Sequence, residues 1–196
     1  MNNLVTCLIN SLNTNIYDDI STKSTITLQE NTGNNQHNNK KYHLKLELPT
    51  KWKNDKIVLI KHMERYKSHL PYMSVNSKMT KDCDYVIINE DKKSMVFIEL
   101  KDTTSCSQKS LANQLLSGQW WTAHLIFCSG FIISNTYSSV FINSYFNDWT
   151  INNIVLKYHC GRPRYKRNNL HKRYFRNFTY YCFSGHDFKL ENLVSV

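Results

Sequence analysis

Three charged residues could do chemistry together: Asp84, Glu99 and Lys101, within "CDYVIINEDKKSMVFIELKD", Cys83 to Asp102. The stretch reads as two strands, "YVII" and "MVFIEL", joined by the polar turn "NEDKKS". Side chains alternate along a strand, so Glu99 and Lys101 face one way with Met95 and Phe97, and Leu100 faces the other. A turn of about four residues, Glu90 to Lys93 or one later, sets Asp84 opposite Glu99 or Lys101. A slip of one residue sends Asp84 to the other face.

Two carboxylates side by side repel unless a cation lies between them. Mg²⁺, with Mn²⁺ as a substitute, fits: it accepts one or two carboxylates, keeps several waters and takes phosphate oxygens. The expected ligands are Asp84, Glu99 and the strand-end carbonyl of Leu100. Lys101 is placed to hold or polarise a water, or to neutralise charge building on a phosphate. This is a constellation for phosphodiester hydrolysis.

Other elements must position these residues. "YHLKLELP" alternates Leu44, Leu46 and Leu48 against Lys45 and Glu47, a half-buried strand ended by Pro49. Ile57 to Ile60 reads as a strand, and the residues up to Pro71 as a short helix. After Lys101, "DTTSCSQ" supplies helix caps. Leu111, Leu115, Leu116 and Trp120 then fit one apolar face of a helix that continues through "WTAHLIFCSGF". "INNIVLKYH" and "FTYYCFSG" are further strands. The packing solution is an α/β domain over residues 41–196, a mixed central β-sheet flanked by helices. Residues 1–40 read as a polar extension, part loop or disorder, with one short ordered element at Leu4 to Leu12.

The chain carries a formal net charge of +10, unevenly spread. No acidic residue falls between Trp149 and His186. Within that interval lie Lys157, Arg162, Arg164, Lys166, Arg167, Lys172, Arg173 and Arg176, interleaved with Tyr158, Tyr165, Tyr174 and Phe175. Concentrated positive charge with aromatic faces suits a nucleic-acid backbone. No apolar run is long enough for a transmembrane helix, and the start lacks a secretory signal, so the expectation is a soluble cytoplasmic protein without a membrane partner. Six cysteines without a C-x-x-C pair argue for reduced thiols, with Cys128 in the core. His159, Cys160, Cys182 and His186 are zinc-ligand types, but their spacing matches no zinc module.

Asp84 in "CDYVI", the hairpin turn, and Glu99 and Lys101 in "VFIELK" together resemble the PD-(D/E)xK nuclease superfamily, which includes many restriction enzymes and Holliday-junction resolvases. Cys83 stands where the name-giving proline would be. The resemblance implies a restriction-endonuclease-like core and a Mg²⁺-dependent endonuclease, with DNA the favoured substrate. It implies that Asp84 and Glu99 hold the metal and that Lys101 assists the nucleophile. It further implies a supporting role for Gln114, in "SLANQLL" on the following helix. The upstream acidic residue that many members carry has two candidates, Glu47 and Glu64. A homodimer, or a place in a larger complex, stays open. Two alternatives stand beside this reading: a solvated strand end with an incidental ion pair, and a catalytically inactive nucleic-acid-binding or interaction module on the same fold.

Overall fold

The computed structural model describes residues 3–30, 42–61, 81–101, 106–131, 146–157, 170–185 and 187–194. The elements in chain order are α1 (Leu4–Ser11), β1 (Tyr17–Asp19), β2 (Thr25–Glu30), β3 (Tyr42–Glu47), a 3-10 turn (Thr50–Trp52), β4 (Ile57–Lys61), β5 (Tyr85–Asn89) and β6 (Ser94–Lys101). They continue with α2 (Gln108–Cys128), β7 (Thr150–Lys157), β8 (Leu170–Phe175), β9 (Phe178–Ser184), β10 (Asp187–Lys189) and α3 (Glu191–Val194).

Seven strands form one mixed sheet in the order β1-β4-β5-β6-β7-β9-β8. The neighbours from β1 to β6 are antiparallel. β7 runs parallel to β6, and β9 parallel to β7. A parallel neighbour needs a long crossover, and α2 lies within the connection from β6 to β7. β8 closes the far edge antiparallel to β9. A second sheet has the order β10-β3-β2.

Strand alternation divides the apolar residues between two cores. Val58, Ile60, Val86, Ile88, Met95 and Phe97 pack with Leu4 and Leu8 of α1 and Leu111 and Leu115 of α2. Leu59, Ile87, Val96, Ile98, Leu100 and Leu156 pack instead with Leu28, Leu44, Leu46 and Phe188 of the small sheet and Leu193 of α3. The domain is therefore mixed α/β around a large mixed sheet. Helices α1 and α2 cover one face; among the described residues, the small sheet and the four-residue α3 cover the other, where flanking helices were expected. The reason lies in the alternation of "YHLKLE": its leucine face must be buried, and it is buried against the large sheet.

The expected hairpin, the strands at Leu44 and Ile57, the long helix from Gln108 and the strands at Ile154 and Tyr180 are all present. The segment expected as a helix before Pro71 lies outside the described residues, as does Glu64. β8 is a strand that sequence reading missed. Its residues His171 to Tyr174 are all exposed, so "LHKRYF" has no buried face to announce it; the ladder from β9 makes it a strand. Cys128, expected in the core, is exposed at the end of α2, while Cys7 and Cys83 are buried. All five described cysteines are free thiols. Residues of the 1–40 segment contribute α1, β1 and β2. No described helix is long and apolar enough to cross a membrane.

The hairpin turn also holds α1. Glu90 accepts the N–H of Leu4 at 2.7 Å and of Val5 at 3.0 Å, and the Asn3 side chain accepts that of Thr6. These donors at the helix start have no intrahelical acceptor, and a carboxylate there also suits the helix dipole. Glu90→Ala should lower stability by about 1–2 kcal/mol. Urea unfolding checks this, and Glu90→Gln should recover part of the loss.

Candidate active site at the β5–β6 hairpin

The turn is four residues long. Asn89 pairs with Ser94 and Tyr85 with Ile98, so Glu90 to Lys93 form the loop. The Asn89 side chain accepts the Lys92 N–H, and Lys93 takes a left-handed backbone at φ 47°. One step further along this register, Asp84 faces Glu99, the first of the two expected placements. Asp84 Oδ2 accepts the N–H of Leu100 at 2.7 Å. The described contact of Leu100 with the site is thus its N–H; its side chain is buried in the opposite core.

Glu99 lies on the α2 face of the sheet, in line with Met95 and Phe97, and is 1% exposed. Among the described residues, no backbone N–H or hydroxyl group donates to either of its oxygens. Its charged neighbours are Asp84 and Lys101, whose ammonium contacts Glu99 Oε1. Burial first, and then the Asp84 carboxylate, push the Glu99 carboxyl up from 4.5 to about 9, against the pull of Lys101. The Lys101 side chain is 18% exposed, so the lysine is the solvent-facing partner of the pair and Glu99 the enclosed one.

α2 docks on the segment just before β5, beside Asp84. Gly118 sits directly on Cys83: a Cβ there would lie 2.2 Å from Cys83 Sγ. One residue earlier, the Ser117 hydroxyl donates to Asp82 Oδ1. Asp82 is 3% exposed. Burial, followed by Glu99, Asp84 and Asp82, pushes the Cys83 thiol well above its ordinary value. Asp82, Ser117 and Gly118 were missed in the sequence. The available signal was a glycine inside a helical pattern, which marks a close approach.

Gln114 is 6% exposed on α2, one turn before Gly118, and has no hydrogen bond to Asp84, Glu99 or Lys101. Lys157 lies beside Lys101 in the parallel ladder, adding a second lysine at that end of the sheet. Lys172, Arg173 and Arg176 are exposed on the β8–β9 hairpin, two strands further along. There Lys172 lies 5.6 Å from the Tyr174 ring centroid, and Arg176 5.7 Å from that of Phe175. Arg162, Arg164, Lys166 and Arg167 lie outside the described residues, as do His159, Cys160 and His186. Glu47, the other upstream candidate, is on the small sheet paired with Lys45 and Lys189, not at this site. Among the described residues, no group of three or more His, Cys, Asp and Glu side chains could hold a metal.

No protein family, curated protein or solved structure matches this chain.

Two predictions follow from this geometry. Gly118→Ala should destabilise the fold by about 1–3 kcal/mol through overpacking against Cys83, and Cys83→Ala in the same chain should recover part of it in urea unfolding. The second concerns pH. A Glu99 carboxyl at about 9 keeps a proton that an unfolded glutamate loses near 4.5. The stability it contributes is full below 4.5 and falls as pH rises towards 9. In chelator-treated protein, the stability advantage of Glu99→Gln over wild type should therefore grow steadily from pH 5 to pH 9; a constant difference would refute the shift.

Proposed function

We propose that this chain is a Mg²⁺-dependent endonuclease that hydrolyses phosphodiester bonds, with DNA the favoured substrate. The observation that carries the reading is the meeting of Asp84 and Glu99 across the hairpin with Lys101 against Glu99. An antiparallel hairpin, a helix on its face and a parallel strand beyond are compatible with the restriction-endonuclease-like core that the motif resembles.

The donor set fits the ion. Asp84 and Glu99 offer hard oxygens, and no backbone or hydroxyl donor occupies the Glu99 carboxylate. Two carboxylates are few for a protein cage, but Mg²⁺ commonly takes one or two and fills its remaining places with water and phosphate. When bound, the ion would supply Lewis-acid stabilisation of the phosphate and an acidified water.

The protein's own groups do the rest. The Leu100 N–H orients Asp84. Burial keeps the Glu99 carboxyl protonated at neutral pH until a cation replaces the proton. Lys101, the more exposed of the pair, can turn its ammonium from Glu99 towards a water or a phosphate oxygen. Lys157 beside it, and Lys172, Arg173 and Arg176 along the sheet edge, provide positive charge for the backbone of the substrate.

The test is cleavage of supercoiled, linear and branched DNA and of RNA in Mg²⁺ or Mn²⁺. Asp84→Asn, Glu99→Gln and Lys101→Ala should each lower the rate by about a hundred- to a thousandfold. Equal activity in wild type and all three variants would sink the proposal, because a contaminant would then be responsible. Metal binding at pH 7 should also release close to one proton, read by calorimetry in buffers of different ionisation enthalpy.

A further inference from the structure

A cavity of about 290 Å³ opens at the start of α2, lined by Lys81, Ser107, Lys109, Ser110, Asn113 and Gln114. It joins the segment just before Asp84 to the helix that packs over Glu99, yet none of the three proposed catalytic side chains lines it. Among the described residues its lining holds two lysines and no acidic side chain. It also lies at the positive end of a 21-residue helix. Ser107 caps that helix by accepting the Ser110 N–H, and the Leu111 N–H goes to Ser107 O. The N–H groups of Gln108 and Lys109 are left at the open end.

Gln114 adds a polar side chain from within the helix. It is 6% exposed, it lines the cavity, and among the described residues it makes no hydrogen bond. The side chain is nine-tenths buried, but its amide is not among the enclosed polar atoms, so it opens onto the cavity and is available to a ligand there. An anion with several acceptor oxygens answers every feature together: the amide N–H₂ of Gln114, the helix-end N–H groups, the Ser110 hydroxyl and two ammonium groups. A tetrahedral phosphate has the oxygens for this, and the cavity has room for a phosphate with part of an attached sugar.

We propose that this cavity is a phosphate-binding subsite for nucleic acid, seating a phosphate other than the one that is cut. Gln114 here is a positioning and binding residue that reads the substrate at a distance from the reacting atoms. The assignment deepens the nuclease reading and rests on it for the class of polymer. The phosphate is either an internal diester of the backbone or a terminal monoester at a strand end.

The experiment is done in EDTA, so that it needs no cleavage. Fluorescein-labelled 20-nucleotide DNA, single-stranded and duplex, with a 5′-phosphate or a 5′-hydroxyl, is titrated with wild type, Lys81→Ala/Lys109→Ala, Gln114→Leu and Lys51→Ala/Lys53→Ala. The last pair removes equal charge from the exposed 3-10 turn. The Lys81/Lys109 variant should bind about tenfold more weakly or worse, with the slope of log affinity against log salt smaller by about one. The Lys51/Lys53 control should stay near wild type. Gln114→Leu should weaken binding without loss of thermal stability, whereas a merely structural glutamine would leave binding unchanged. Inorganic phosphate should shift the Gln114 side-chain amide resonance. Dependence on the 5′-phosphate assigns a terminal monoester, and indifference to it an internal diester. Equal weakening in the two double variants, an unmoved Gln114 resonance, or no binding of any DNA by wild type overturns the subsite. Absence of cleavage in Mg²⁺ with these binding differences intact overturns the nuclease reading alone.

Discussion

The register of β5 on β6 is the constraint on which the rest depends. A sheet has a period of two, so a slip of one residue would exchange its two faces. Asp84 would leave Glu99, and Ile87 and Ile88 would trade cores. Both faces of this hairpin are buried, so either exchange would drive a mismatch into packed apolar surroundings. The register is also held locally. Asn89 donates to Asp55 at 2.9 Å and accepts from the turn at Lys92. The Tyr85 hydroxyl reaches the second sheet, donating to Gln29 O at 2.7 Å and accepting its N–H at 3.0 Å. Glu90 ties the turn to α1. The placement of the carboxyl pair is thus over-determined by interactions outside the pair itself.

The same geometry works against stability at one point. Glu99 sits where the alternation of β6 calls for an apolar side chain, between the sheet and α2. Leaving a carboxylate there costs free energy, and the chain relieves the cost by keeping the proton and by setting Lys101 against it. Strain of this kind, held in place by a surrounding core, is the pattern expected where a fold serves a site. Gly118 belongs to the same logic: a glycine weakens a helix interior, but here it lets α2 close on Cys83 beside Asp84.

Much of the fold was legible. Leucine alternation marked β3, the β-branched runs marked β4 to β7, and the 3.6-residue spacing after Gln108 marked α2. Each of these has a face whose burial leaves a periodic trace. β8 leaves none, because it is an edge strand with polar residues on both faces. Cys128 was misjudged because it lies on the outer side of the last turn of α2, whose inner side still buries Ile126. The small sheet on the second face was unreadable, since the pairing of β10 with β3 joins residues far apart in the chain.

The sequence by itself determined the hairpin, the face shared by Glu99 and Lys101, and the concentration of positive charge, because these depend only on local alternation and composition. Tertiary structure alone decided that the turn has four residues, that Asp84 meets Glu99 rather than Lys101, and that Gln114 opens into a basic cavity instead of bonding to the carboxyl pair. It also decided that Glu99 is buried deeply enough to hold its proton. Burial and cross-strand contact are sums over residues distant in the chain, and no local spacing encodes them.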